Sequence, residues 1–161
     1  MAIIVALGAN LGDRMAALQT ARRHLTPILA DINAAPVYET APCYVTDQPK
    51  FLNTVLRGTT VLTPLALLRA LQDIESAMGR TAGRRYGPRE IDLDIIYYND
   101  IIMSEPGLAI PHPLRRERRF VLQPLADIAP ELVDPETRQT ISVLLAQLPP
   151  DPTMTRHAAD W

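Results

Sequence analysis

Cysteine, lysine and aromatic residues are all scarce in this chain of 161 residues. The single cysteine, Cys43, excludes an internal disulfide framework and a thiolate metal cluster, and it suits a reducing compartment. With Lys50 as the only lysine, the phosphate loop G-x-x-x-x-G-K-[ST] cannot exist, and Gly8-Ala9-Asn10-Leu11-Gly12 has the wrong spacing for G-x-G-x-x-G. The H-R-D and D-F-G kinase signatures and the G-x-S-x-G nucleophile elbow are also missing. No apolar run approaches the ~20 residues of a membrane span. The run Ala2 to Leu7 is short, is closed by Gly8 and has no basic segment before it, unlike a secretion signal. A soluble, cytoplasmic protein is expected.

The length predicts one domain, residues 1–161, because domains run to ~100–200 residues. With 47% of residues apolar, such a chain buries ~70% of its extended-chain surface on folding. It needs no metal to hold its fold, so any metal would be a reagent. Sixteen basic side chains stand against eighteen acidic ones, for a net charge of −2. The positive charge is crowded: Arg80, Arg84, Arg85, Arg89, Arg115, Arg116, Arg118 and Arg119 all fall between positions 80 and 119. Local guanidinium density in a slightly acidic protein points to a small anionic ligand.

Residues 2–8 read as a buried strand followed by a turn. Asp13 can cap a helix over Arg14–Leu25, where Met15, Leu18, Ala21 and Leu25 recur at helical spacing and Pro27 marks the end. Strands are expected at about 32–39 and 51–61, with a loop from Thr40 to Lys50 between them. Thr63 as N-cap, Pro64 at the first position and Gly79 beyond the last turn frame a second helix with core residues Leu67, Leu71, Ile74 and Met78. A polar loop, 80–89, precedes a strand from Ile91 to Tyr98, whose Asn99-Asp100 turn leads back into 101–103. The order β-α-β-β-α-β predicts an α+β ferredoxin-like sandwich, its helices packed on one face of a mainly antiparallel sheet. C-terminal additions follow: a strand near Leu108, helical turns between Leu114 and Ile128, and a helix over 141–148.

The strand Ile91-Asp92-Leu93-Asp94-Ile95 carries two acids at i and i+2, which alternation places on one face with Cα atoms ~6.5 Å apart. Such a pair suits Mg²⁺, and two ions ~3.5–4 Å apart could share it while gripping phosphate oxygens. Two solvent-facing acids, or acids neutralised by arginine, would have the same spacing. The flanking strings Arg84-Arg85-Tyr86-Gly87-Pro88-Arg89 and His112-Pro113-Leu114-Arg115-Arg116-Glu117-Arg118 favour phosphoryl transfer. Within them Arg115 and Arg116 fit a solvated face better than Arg89, which stands beside a Gly-Pro turn. Two other classes remain open from the residues alone. One is a ferredoxin-like RNA-binding module, which eight aromatic residues (two Phe, five Tyr and one Trp) and the negative net charge disfavour. The other is a different Mg²⁺-dependent nucleotidyl- or glycosyltransferase using Asp-x-Asp.

The strings Ala6-Leu7-Gly8-Ala9-Asn10-Leu11-Gly12-Asp13, Asp47-Gln48-Pro49 with Phe51-Leu52-Asn53, and Arg85-Tyr86-Gly87-Pro88-Arg89-Glu90-Ile91-Asp92-Leu93-Asp94 closely resemble the 6-hydroxymethyl-7,8-dihydropterin pyrophosphokinases of folate synthesis. Pro111-His112 and Arg118 with Phe120 extend the likeness, which runs from about residue 3 to 148 and omits the tail 149–161. The resemblance implies transfer of pyrophosphate from ATP to the pterin hydroxymethyl group, releasing AMP, with two Mg²⁺ ions and without nucleic acid or membrane partners. A monomer is expected, while the sequence leaves the oligomeric state open.

By this likeness Asp92 and Asp94 carry both metal ions. Arg80 and Arg89 neutralise charge during transfer, while Arg85, His112 and Arg118 contact the triphosphate. Gln72 and Glu75 line the nucleotide site, although a polar margin of an amphipathic helix explains them equally well, and the backbone of Ile95 meets adenine. Phe51 and Phe120 stack on the pterin, Asn53 pairs with its edge, and the backbone from Thr40 through Pro42 to Cys43 completes the hydrogen bonding. The chain departs from the family at Thr81, Ala82, Tyr86 and Pro113, and its arginine loop is one residue shorter. Those departures bear on loop contacts to ATP and leave the acids and the pterin side unchanged.

Overall fold

The computed structural model describes residues 1–42, 47–79 and 90–161. Strand β1 (Ala2–Ala9) leads to helix α1 (Arg14–Leu25). Then come β2 (Ala30–Ala34), β3 (Val37–Thr40), β4 (Phe51–Thr59), helix α2 (Pro64–Ala77) and β5 (Asp92–Tyr98). The two helices start where side-chain chemistry dictates. Asp13 accepts a bond from the Ala16 amide and Thr63 one from the Ala66 amide, each cap stabilising by about 1 kcal/mol. Gly79, at φ 85°, terminates α2 in the left-handed region that glycine enters without a Cβ clash.

The sheet order is β5-β1-β4-β3, every neighbour antiparallel, with β2 also paired to β4. The expected ferredoxin-like sandwich is present. The strand expected over 32–39 is divided, because Ala35-Pro36 interrupts it: proline has no N–H to give to a ladder. The sheet also has a strand that the sequence reading omitted. The tail folds back as β8 (Thr155–Ala158) and pairs with β3. Trp161 Nε1 donates to the Ala35 carbonyl at 2.8 Å, with the Arg22 guanidinium 5.1 Å from the indole.

A second difference follows Tyr98. Residues 101–103 do not return along β5; instead β6 (Met103–Glu105) pairs with β7 (Leu108–Ile110) as a separate ribbon. A 3₁₀ turn (Arg115–Glu117), helix α3 (Arg119–Ile128) and helix α4 (Ile141–Ala146) complete the chain. They alter the layer count. Helices α1 and α2 cover one face through Leu18, Leu25, Leu67 and Leu71, whereas Val121, Leu125, Ile141 and Leu144 pack on the other against Ile4, Val55 and Ile96. Helices thus lie on both faces, not one. This explains why β1 reads as a continuous apolar run, as a strand covered on both sides must. Among the described residues no helix is long and apolar enough to cross a membrane.

Candidate active site

The register of the central strands aligns a row of side chains across one end of the sheet. Gly8 of β1 lies between Asn53 of β4 and Asp92 of β5, and Tyr38 of β3 continues the row beyond Asn53. In the adjacent rows Ala6 lies between Val55 and Asp94, and Phe51 faces Thr40. Directly paired residues project to the same face. The second apolar core ends short of Gly8, Phe51, Asn53, Asp92 and Asp94, none of which belongs to it.

The missing side chain at Gly8 lets Asn53 and Phe51 approach the β1 backbone closely. A Cβ at Gly8 would stand 2.9 Å from Asn53 Oδ1 and 3.7 Å from the Phe51 ring. Asn53 is fixed in turn: its Nδ2 donates to Thr40 Oγ1 at 2.7 Å, with both residues buried. The result is a flat floor at Gly8, an aromatic ring at Phe51 and an oriented amide at Asn53. Pro42, half-buried, lies two residues beyond Thr40, while Cys43 falls outside the described residues.

Asp92 and Asp94 are both half-buried at the start of β5, on the same face as Gly8. Their oxygens suit Mg²⁺, which binds through one or two carboxylates and takes its remaining positions from phosphate and water. Among the described residues no group of three His, Cys, Asp or Glu side chains forms an all-protein metal cage. The two candidate nucleotide residues on α2 part company. Gln72 is exposed, whereas Glu75 is buried and accepts a bond from the Leu93 amide at 3.0 Å. That amide therefore points away from β1, and the two-residue alternation turns the N–H and C=O of Ile95 toward the same outer edge of β5. The Ile95 side chain itself is part of the core.

His112 and Arg118 approach the acids from the segment before α3. The Leu114 amide donates to His112 Nδ1 at 3.1 Å, which leaves the proton of the neutral ring on Nε2. Burial, reinforced by the nearby Arg118 cation and opposed by Asp92, pushes the imidazole down to about 4. It is a neutral donor at physiological pH. Arg118 is buried, with its guanidinium 5.5 Å from the ring of Phe120, itself half-buried. Arg115 overturns the expectation of a solvated face: it is 1% exposed and held by Asp134. Burial opposes ionisation of Asp134, but bonds from Arg115 and Tyr97 outweigh it and hold the carboxyl far below its usual range. Arg80, Arg84, Arg85 and Arg89 lie outside the described residues.

Sequence reasoning assigned no task to several residues that border the site. Asn10, 2% exposed, donates to Gln48 Oε1 at 2.7 Å and to the Pro49 carbonyl at 3.0 Å. Arg14 pairs with Glu39 at 2.8 Å and donates to the Lys50 carbonyl at 3.1 Å. Together they tie the segment entering β4 to the end of β1 and the start of α1. The signal was present in the strings around Asn10 and Gln48, but a tertiary clamp cannot be read from either string alone.

An antiparallel α+β sandwich whose sheet end brings together paired carboxylates, a histidine, a buried arginine, an aromatic ring and an oriented amide defines a class, the ferredoxin-like proteins with a polar cluster at one end of the sheet. Comparison with known proteins narrows the class. The profile of the 7,8-dihydro-6-hydroxymethylpterin-pyrophosphokinase (HPPK) family matches residues 4–130, and the chain belongs to this family. It is 44% identical over 146 residues to the 2-amino-4-hydroxy-6-hydroxymethyldihydropteridine pyrophosphokinase of Methylorubrum extorquens, covering 89% of this chain and 91% of that one. It is also 44% identical over 147 residues to the folic acid synthesis protein fol1 of Schizosaccharomyces pombe, covering 90% of this chain and 20% of that protein. The chain spans only 20% and 26% of that relative and of the Pisum sativum folate synthesis bifunctional protein. The HPPK-DHPS crystal structure from Plasmodium falciparum shares the fold, with a TM-score of 0.75 at 18% identity over 91% of this chain and 44% of that one.

Proposed function

We propose that this chain transfers the pyrophosphoryl group of ATP to the hydroxymethyl oxygen of 6-hydroxymethyl-7,8-dihydropterin, giving AMP and the pterin diphosphate. The observation that supports the reading is the row Asn53–Gly8–Asp92, which brings an oriented amide and a pair of acids together at one end of the sheet. In this reading residues 1–161 act as one domain, a monomer in the cytoplasm.

The pterin lies over Gly8 between Phe51 and Phe120. Asn53 recognises its edge, and the backbone of residues 40–43 supplies further bonds. This places the hydroxymethyl arm toward β5. Asp92 and Asp94 hold two Mg²⁺ ions, which when bound neutralise phosphate charge and favour the alkoxide character of the acceptor oxygen. His112 donates from Nε2 to a triphosphate oxygen, and Arg118 pairs with the same group through its fork. Glu75, the exposed Gln72 and the outer backbone edge at Ile95 line the nucleoside end. Arg85 contacts the triphosphate, and Arg80 and Arg89 neutralise the charge that grows as the bond between the α-phosphorus bridge and the β-phosphorus breaks. The hydroxyl oxygen attacks the β-phosphorus and loses its proton to water, the bond from the β-phosphorus to the α,β-bridging oxygen breaks, AMP leaves with that oxygen, and catalysis is alignment with charge neutralisation.

The test is the nucleotide product. Incubation with Mg²⁺, ATP and 6-hydroxymethyl-7,8-dihydropterin is expected to release AMP in step with pterin consumed. Release of ADP means γ-phosphoryl transfer and rejects the reading, as does the absence of any turnover.

A further inference from the structure

Arg115 makes four side-chain hydrogen bonds to its surroundings although it is 1% exposed. Its Nε and Nη2 donate to the two oxygens of Asp134 at 2.7 and 3.0 Å, Nη2 donates also to Glu136 at 2.9 Å, and Nη1 donates to the His112 carbonyl at 3.0 Å. Asp134, 0% exposed, is saturated from other directions too. Tyr97 Oη donates to it at 2.5 Å, and the amides of Glu136 and Thr137 at 2.9 and 3.0 Å.

The connectivity gives this cluster a meaning beyond packing. Tyr97 lies on β5, three residues past Asp94. The His112 carbonyl lies in the segment that bears His112 and Arg118. Asp134 is anchored on the far side by paired backbone bonds with Gln139 and Arg138. Beside the direct bond from the His112 amide to the Ile96 carbonyl of β5 at 3.0 Å, one carboxylate and one guanidinium therefore fix the acid-bearing strand and the His112–Arg118 segment to each other. The backbone bond sets where His112 meets β5, and the bidentate fork sets how the turn from Leu114 to Arg118 is oriented beyond it.

We propose that Arg115 is a positioning residue for ATP: through the His112 carbonyl and Asp134 it sets His112 and Arg118 at their working distance from Asp92 and Asp94. The proposal rests on the reading of that end of the sheet as the triphosphate site. Stability alone does not account for the pair, because replacing a buried ion pair by apolar residues of similar volume is often neutral or stabilising, whereas removing one partner strands a buried charge.

That asymmetry supplies the test. Binding of Mg²⁺ with α,β-methylene-ATP is measured by calorimetry in the wild type, in the double variant Arg115→Met/Asp134→Leu and in Arg115→Lys, together with unfolding temperature and the Kd for the pterin. The double variant, which also leaves the Tyr97 hydroxyl and the Glu136 and Thr137 amides without their acceptor, is expected to unfold at a lower temperature but stay folded under assay conditions, with an unchanged pterin Kd while nucleotide Kd rises about tenfold. Arg115→Lys is expected to weaken nucleotide binding several-fold, because an ammonium cannot serve Asp134 and the His112 carbonyl together. Wild-type nucleotide Kd in either folded variant overturns the proposal. Failure of the functional reading is separable: a wild type that turns over no pterin rejects pyrophosphoryl transfer, while the nucleotide Kd values still decide the role of Arg115.

Discussion

Gly8 and Asn53 face each other across β1 and β4, so close that a methyl group at position 8 would stand 2.9 Å from Asn53 Oδ1. Asn53 cannot simply swing aside, because Thr40 holds its amide. Gly8→Ala is therefore expected to raise the Kd for the pterin about tenfold or more, with little change in ATP affinity, since alanine fits the extended backbone there. Isothermal titration with each ligand checks this. Unchanged pterin affinity would show that the face at Gly8 is not the ring site.

The bond from Asn53 Nδ2 to Thr40 Oγ1 is buried at both ends. Thr40→Val removes the acceptor and leaves the shape, which is expected to cost about 1–2 kcal/mol in urea unfolding and to weaken pterin binding several-fold. Loss of stability without loss of pterin affinity would assign Asn53 a purely structural task.

Asp94 lies on the same face of the sheet as Gly8, next to Ala6. Asp94→Ala is expected to abolish turnover while circular dichroism and unfolding temperature stay near wild type, because a half-buried carboxylate is exchanged for a small side chain at the end of an intact strand. Magnesium titration of the wild type should show that activity depends on the ion. Wild-type turnover in the Asp94→Ala variant would sink the metal assignment.

His112 also predicts a pH dependence. Its folded value, about 4, lies below its ordinary 6.5, so the neutral ring favours the fold, fully above about pH 6.5 and progressively less as pH falls toward 4. The groups acting on it are Arg118 and Arg115, which favour the neutral ring, and Asp92, which favours the charged one. His112→Asn is expected to flatten the fall in unfolding temperature between pH 6.5 and 4.5. Equal slopes for the two proteins would contradict the burial of a neutral imidazole.

The tail contributes to stability through Trp161, whose indole N–H meets the Ala35 carbonyl and whose ring lies under Arg22. Trp161→Ala is expected to destabilise by about 2 kcal/mol and to loosen β8 from β3. Hydrogen exchange at Tyr38 and Glu39 provides the local readout: faster exchange is expected, and wild-type protection there would detach the tail from the sheet.

Local signals carried most of the fold. The caps at Asp13 and Thr63, the left-handed Gly79 and the alternation of Asp92 and Asp94 are decided within a few residues, and the structure has each of them. What escaped depended on distant partners. The tail strand Thr155–Ala158 is exposed and polar along most of its length, so only its pairing with β3 makes it a strand. Arg115 looked like one of several solvated arginines because Asp134, nineteen residues away, is the group that buries it. Gln72 and Glu75 are three apart on one helix, yet one faces solvent and the other the Leu93 amide. The aromatic and amide positions Phe51 and Asn53 gained meaning from the register that set Gly8 and Thr40 beside them.

Tracing a β-phosphorus label tests the central claim most directly. With ATP labelled at the β-phosphorus, the pterin acceptor and Mg²⁺, the account predicts that the label leaves the nucleotide pool and appears in the pterin product while unlabelled AMP accumulates. Label retained in ADP, with only the γ-phosphoryl group on the pterin, would contradict it.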